Sequence, residues 1–117
     1  MKVKIKNKTV DLHHSTRIYT IYENIVDQYA KEGIEVKPDS LTASKILIYG
    51  ALVATMKYNK MEGTLTYDEM ENIVDDNGGM QFIKDFATWM TGEVNSEIGL
   101  APVSEEEDND NGEEKKS

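Results

Sequence analysis

The chain contains no cysteine and only two prolines among its 117 residues. The absence of cysteine excludes disulfides, thiolate zinc sites and cysteine nucleophiles, and it fits a reducing compartment. Long apolar runs are also absent, because the longest, Ile46 to Met56, is far shorter than the roughly 20 residues of a membrane-spanning helix. Met1 begins a charged alternating segment, which is not the pattern of a secretory leader. We therefore expect a soluble cytoplasmic protein that does not bind membranes.

Residues that commonly carry catalysis or bind metals are few. The two histidines, His13 and His14, are adjacent, so on a strand their side chains would point to opposite faces. An acidic segment that begins at Asp75 suggests a calcium loop, but Met80 and Phe86 occupy the positions that require glycine and a bidentate acid. The chain also lacks the nucleophile elbow, the phosphate-binding loop and the dinucleotide fingerprint. We expect a protein that is not an enzyme and has no catalytic residues, cofactor or metal site.

The formal net charge is −9, of which residues 104–117 supply −5 and residues 1–103 supply −4. Nucleic-acid binding needs clustered lysine and arginine side chains that release counterions from phosphates. Lysine is concentrated only in the N-terminal segment, where it alternates with apolar residues as on the solvated face of a strand. We therefore expect no nucleic-acid partner.

The C-terminal segment, residues 104–117, contains no aliphatic or aromatic side chain. Such a segment cannot offset its ordering entropy by burial, so its composition predicts a disordered acidic tail. The preceding residues, 1–103, are enough to bury about two-thirds of their unfolded surface in one core. The predicted organisation is a compact helical domain with an N-terminal hairpin over residues 1–103, followed by the tail over residues 104–117.

The order of elements follows from the polar and apolar pattern. Residues 2–6 and 9–12 alternate in polarity around Asn7-Lys8, which predicts a β-hairpin with a two-residue turn there. Apolar residues at three- and four-residue spacing then predict a helix that begins after Ser15 or Thr16 and stops at Gly33.

A second helix is predicted from a cap at Asp39, Ser40 or Thr42 to about Tyr58. It is apolar around most of its circumference, which is typical of the central helix of a bundle or of one shared with another chain. Gly50 at its middle costs about 1 kcal/mol relative to alanine, which indicates close packing against a neighbour or a kink.

Thr66 and Glu69 form a capping-box pattern, which predicts a short helix over residues 67–76. The glycines after Asn77 end it, and a last helix is predicted over residues 80–90. The expected fold is α+β and mainly α, with an N-terminal β-hairpin packed on a bundle of about four helices.

An aromatic stripe on the last helix, formed by Phe82, Phe86 and Trp89, is typical of a core face. The alternative is that part of it, together with adaptable side chains such as Met80 and Met90, forms a groove for an apolar helix of another protein. We expect Phe86 in the core and Trp89 partly exposed. Three helices with five to seven apolar positions each also favour self-association or the binding of another protein, here called a client. The candidate residues for client binding or self-association are Leu52, Met56, Phe82, Trp89 and Met90.

The arrangement resembles the tail assembly chaperones of long-tailed, siphovirus-type bacteriophages and prophages of Gram-positive hosts. The matching features are the opening hairpin from Met1, the Ile/Tyr-rich first helix, the apolar segment Ile46 to Met56, the entry Leu65 to Glu69 of a short acidic helix, and the charged end. The resemblance covers the whole chain and lies in the order and pattern of elements. It therefore assigns no functional residues position by position.

The resemblance implies a non-catalytic protein of the host cytoplasm that binds and solubilises the tape measure protein during tail morphogenesis and is absent from the mature virion. Many such chaperones also occur as a longer product, made by ribosomal frameshifting, whose added domain contacts the tail-tube protein. Glu114-Lys115-Lys116 can be encoded with the slippery heptamer A AAA AAG, although adjacent lysines are also common in acidic tails.

Two alternatives remain open at this point. The acidic composition also suits a regulatory protein or a DNA-mimicking inhibitor that blocks a basic surface. The second alternative is a small structural protein of the virion, such as a head–tail connector. Ionic strength separates the first from a chaperone, because charge mimicry weakens steeply with salt whereas apolar groove binding does not.

Overall fold

The computed structural model describes residues 1–97, so the predicted tail and its boundary at residue 104 lie outside the described residues. Two strands and four helices follow one another in the chain: β1 Lys2–Ile5, β2 Lys8–Asp11, α1 Thr16–Lys31, α2 Leu41–Tyr58, α3 Tyr67–Asp76 and α4 Met80–Glu97. The predicted fold class, a two-stranded hairpin with four helices, is confirmed. One compact unit, Met1–Ala87, contains all of these elements except the later part of α4, which belongs to a second unit that begins at Thr88.

The hairpin pairs β1 and β2 antiparallel, with Ile5 opposite Lys8. The two turn residues are therefore Lys6 and Asn7, whose φ values are 50° and 67°. The prediction of Asn7-Lys8 as the turn is wrong by one residue. The observed register places Val3, Ile5 and Val10 together on the buried face, and a shift by one residue would turn one strand's apolar side chains to solvent.

The side-chain amide of Asn77, just after α3, holds the hairpin. The Lys4 backbone N–H donates to Asn77 Oδ1 at 2.9 Å, and Asn77 Nδ2 donates to the Lys4 carbonyl at 3.0 Å. The amide thus satisfies a donor and an acceptor on the edge of β1, as a neighbouring strand would. The prediction that the glycines after Asn77 end this helix is confirmed, because α3 stops at Asp76 and both Gly78 and Gly79 have positive φ.

Helix α2 is the central element. Its N-cap is Ser40, whose hydroxyl accepts a hydrogen bond from the Ala43 backbone N–H at 3.1 Å. At its middle, a Cβ atom added to Gly50 would lie 3.0 Å from the Ile18 carbonyl oxygen of α1. Glycine therefore permits close contact between α1 and α2, as one of the two interpretations predicted. Nine of the eighteen residues of α2 are buried: Ala43, Ile46, Ile48, Gly50, Ala51, Leu52, Ala54, Thr55 and Met56.

The later helices differ in how well their ends were predicted. Helix α3 begins with the predicted capping box, in which the Thr66 hydroxyl accepts from the Glu69 N–H and the Glu69 carboxylate accepts from the Thr66 N–H. Helix α4 continues to Glu97, so the predicted end at Met90 is wrong. A single glycine, Gly92, costs a helix only about 1 kcal/mol and does not terminate it. Within residues 1–97, no helix is long and apolar enough to cross a membrane.

Candidate functional site

Helix α3 presents one polar and one apolar side. Met70, Ile73 and Val74 are buried, whereas Asp68 and Asp75 are exposed. Asp68, Glu71 and Asp75 are spaced at i, i+3 and i+7, so their carboxylates follow one another along one side of the helix. The capping box that starts α3 at Tyr67 fixes this register.

These carboxylates form one wall of an open groove of about 590 Å³, here called the acidic groove. The start of α2 and the start of α4 supply its other sides, where Leu41 and Met80 are 48% and 57% exposed. The groove is lined by Leu41, Lys45, Asp68, Met70, Glu71, Asn72, Val74, Asp75, Gly79, Met80 and Ile83. It combines exposed apolar side chains with negative charge.

Lys45 is the one cation that lines the acidic groove, and it is paired within the groove. Its Nζ atom lies 2.8 Å from Glu71 Oε2 and links α2 to α3. Both side chains are partly exposed, so the pair contributes at most about 1 kcal/mol to stability. For the carboxylates of Asp68 and Asp75, the described part of the chain offers no hydrogen-bonded or ion-paired partner. The wall therefore keeps unneutralised negative charge.

Two titratable groups beside this wall have shifted pKa values. The backbone hydrogen bond from Thr66 lowers the pKa of Glu69, so the carboxylate of the capping box is held in its charged form. Burial, together with the nearby Tyr29 and Glu71, raises the pKa of Tyr67 to about 12. Tyr67 is therefore a neutral phenol at physiological pH. Of these two groups at the start of α3, only Glu69 carries a charge.

A second groove, here called the basic groove, lies at the other end of α2 and has a volume of about 480 Å³. Lys57 and Lys60 line it, and Lys6 Nζ approaches the nearby Thr64 carbonyl at 3.5 Å. The hydroxyl of Tyr49 closes one side by donating to the Leu65 carbonyl at 2.7 Å. Although the whole chain is acidic, the acidic groove and the basic groove thus carry opposite charge.

The two histidines have structural surroundings. The His13 ring stacks on Tyr58 with centroids 3.8 Å apart, and its backbone N–H donates to the buried Thr55 hydroxyl at 2.9 Å. His14 Nε2 is 2.8 Å from the Tyr19 hydroxyl. Over residues 1–97, no three His, Asp or Glu side chains are grouped so that they could hold a metal ion.

The residues predicted for client binding or self-association lie mainly in the interior. Leu52 is fully buried, Met56 and Phe82 are 4% exposed, and Met90 is 8% exposed. Trp89 is half-buried. Met56 also lines the basic groove, and none of the five residues lines the acidic groove. Their role in association stays a prediction.

The apolar side chains that are exposed in the structure differ from these five candidates, and the sequence analysis missed most of them. Leu41 was not singled out, whereas Met80 was named as an adaptable groove residue and does line the acidic groove. The predicted contrast between Phe86 and Trp89 is confirmed, because Phe86 is 2% exposed and Trp89 is half-buried. The signal for the acidic wall was present in the i, i+3, i+7 spacing of Asp68, Glu71 and Asp75.

Comparison with known proteins gives no match. No protein-family model matches the chain, and neither the curated proteins nor the solved structures include a significant relative. The site must therefore be interpreted from its own geometry and charge.

Proposed function

We propose that the protein is a non-catalytic tail assembly chaperone of a long-tailed bacteriophage or prophage, which binds and solubilises the tape measure protein during tail morphogenesis. The observation that carries the proposal is the acidic groove, where Leu41 and Met80 are exposed. The core beneath it already buries Met70, Val74 and Ile83, so these exposed side chains are not needed to complete the fold. Exposed apolar residues in a groove are suited to hold an apolar helix face of another protein.

The overall charge supports the same function. A net charge of −9 favours solubility of the protein and of any complex it forms with a helix-rich client. Under this proposal the protein acts in the host cytoplasm, many copies bind each tape measure molecule, and none remains in the mature virion. Contact with the tail-tube protein, through a frameshifted longer product, belongs to the same proposal.

Under this proposal a tape measure protein is encoded near this chain, and co-expression with one of its helical segments tests the function. The client should remain in the soluble fraction only when this protein is present, and the two should elute together in size-exclusion chromatography. Leu41→Asp combined with Met80→Asp should abolish this effect while the circular dichroism spectrum stays helical. Ile34→Asp is a matched control, because Ile34 is 50% exposed but does not line the acidic groove. A client that stays insoluble with the unmodified protein would contradict the proposal.

The acidic wall of α3 also favours one alternative function, an inhibitor that blocks a basic surface. Its carboxylates follow one side of the helix, and a partner bound by charge alone would dissociate steeply as ionic strength rises. A client held by the apolar groove should stay bound in high salt. Mass spectrometry of purified particles separates both functions from that of a virion connector, which would be present in the particles.

The longer product is tested at the level of the gene. Codons that preserve the heptamer at Lys115-Lys116, with an open −1 frame beyond it, would support a second, larger polypeptide detectable in infected or induced cells. An interrupted adenine run would remove this part of the proposal and leave the binding of the tape measure protein unaffected.

A further inference from the structure

The acidic groove offers exposed apolar side chains to a partner helix. Leu41 and Met80 each occupy the first position of their helices and are about half exposed. Met70, Val74 and Ile83 also line the groove and are buried, so they add apolar surface to it. An amphipathic helix that places apolar anchors at i, i+3 or i+4, and i+7 would cover the exposed side chains.

The charged wall runs in the direction of such a helix. Asp68 and Asp75 are seven positions apart on α3, which corresponds to about 10 Å along the helix axis. Glu71 lies between them and is already paired with Lys45 at 2.8 Å. A partner helix lying along α3 would therefore meet two unneutralised carboxylates about two turns apart, and basic side chains at the matching spacing would neutralise them.

A second copy of this chain does not fit the groove. Each copy carries the net charge of −9, and the two acidic walls would repel one another. A second copy does carry the exposed Tyr58 beside Lys57 and Lys60 of the basic groove, but these two lysines are three positions apart and α2 ends at Tyr58. None of the four described helices carries two lysine or arginine residues seven positions apart, so none matches the spacing of Asp68 and Asp75. The complementary partner is a different polypeptide with positive charge beside its apolar stripe.

We propose that the acidic groove binds an amphipathic α-helix of another protein that carries lysine or arginine along one flank of its apolar stripe. The inference rests on the proposed function for the identity of that protein, the tape measure client, but its chemistry comes from the groove. It predicts which segments of a long helical client are bound and in which rotation about the helix axis they dock.

Synthetic helical peptides test the selectivity directly. Three fluorescein-labelled peptides share one apolar stripe and carry lysine, glutamine or glutamate along the same flank, and their binding to the full-length protein is followed by fluorescence anisotropy. The lysine peptide should bind about tenfold more tightly than the glutamine peptide at low salt, since surface ion pairs have modest energies. High salt should remove most of that difference without abolishing binding. The glutamate peptide should bind most weakly.

Matched variants test whether the carboxylates of the acidic wall cause the preference for the lysine peptide. Asp68→Asn combined with Asp75→Asn should weaken the lysine peptide about tenfold and leave the glutamine peptide unchanged. Asp76→Asn is the control, because Asp76 is exposed on the same helix but does not line the groove. Unchanged helical circular dichroism and melting temperature would show that each variant is folded.

The outcomes separate this inference from the proposed function. Equal affinity for all three peptides, no binding of any, or an equal effect of Asp76→Asn would overturn the inference. If the double-asparagine variant solubilises the tape measure segment as well as the unmodified protein does, the chaperone function stands and the inference fails. If the lysine peptide binds selectively but the tape measure segment is not solubilised, the groove chemistry stands and the proposed function fails.

Discussion

Helices α1 and α2 have similar lengths, but α1 is apolar along one side and α2 around most of its circumference, and they bury very different numbers of residues. Helix α2 buries nine of its eighteen residues, whereas α1 buries only Ile18 of its sixteen. The apolar residues later in α1, including Ile25 and Val26, are half-buried. The two helices contact each other, and Gly50 of α2 lies close against the Ile18 backbone of α1.

The difference shows that the position of a helix among its neighbours sets its contribution to stability. Helix α2 has neighbours around most of its circumference, so a change there disturbs several elements at once. Helix α1 has apolar side chains on one side and solvent on the other, so substituting many of its residues should cost the protein little stability. The predictions below test this contrast between enclosed and partly exposed positions, in order of decreasing effect.

The largest effect is expected from placing a charge in α2. Leu52→Asp buries an unpaired carboxylate at a fully enclosed site, which should cost more than about 4 kcal/mol and unfold the domain. The matched change Ile25→Asp in α1 should leave the protein folded, because the carboxylate reaches water. Far-ultraviolet circular dichroism and urea titration give both results. Similar losses for the two variants would show that α1 is as enclosed as α2.

The next effect concerns the two aromatic residues of α4 that differ in burial. Phe86→Ala removes a ring that is 2% exposed and should cost about 3–5 kcal/mol through lost burial and a residual cavity. Trp89→Ala should cost clearly less, since Trp89 is half-buried. Chemical denaturation at equal protein concentration measures both. A larger loss for Trp89→Ala would reverse the assignment of core and surface on this helix.

Two mid-helix glycines provide a test of close packing. Gly50→Leu should destabilise the protein by about 1–3 kcal/mol, because the new side chain meets the Ile18 backbone. Gly92→Ala should stabilise it by about 0.5–1 kcal/mol through helix propensity, since the described atoms leave the space around Gly92 open to 4 Å. Thermal unfolding compares them. Stabilisation by Gly50→Leu would mean that the contact between α1 and α2 can widen freely.

The smallest effect concerns the capping box of α3. Thr66→Ala removes the acceptor for the Glu69 N–H and should cost about 1 kcal/mol. The Glu69 pKa is lowered in the folded state, mainly by the Thr66 backbone hydrogen bond, so its contribution is complete above the ordinary value of 4.5 and is lost as pH falls through the lowered pKa. Glu69→Gln should remove this acid dependence. The measurement is the free energy of unfolding from neutral to acidic pH. A greater loss of stability in acid for Glu69→Gln than for the unmodified protein would contradict the predicted direction.

Several features followed from local sequence because the interactions that fix them are local. The Thr66–Glu69 capping box is formed by residues three positions apart, and the Ser40 cap reaches only Ala43. The hairpin was predicted from alternation, but its turn was assigned one residue too late. The choice between Lys6-Asn7 and Asn7-Lys8 depends on which side chains face the rest of the domain, which local alternation does not specify.

The candidate site was harder to predict because it depends on distances across the fold. The aromatic and aliphatic residues chosen for association, such as Leu52 and Phe82, are apolar enough for a binding surface, but the same property places them in the core. Leu41 and Met80 are far apart in sequence and line one groove only because the starts of α2 and α4 lie beside α3. The polar and apolar periodicity of a single helix does not indicate how separate helices are arranged around a groove.

The sequence by itself determined the order and type of the elements, the capping box of α3 and the central place of α2, since these depend on periodicity and on hydrogen bonds between near neighbours. Only the tertiary structure decided which apolar residues remain exposed and how charge is divided between the acidic and basic grooves. The docking of Asn77 against Lys4, across 73 positions of the chain, is of the same kind. The physical reason is that burial and surface charge depend on what packs against a side chain, and those neighbours come from distant parts of the chain.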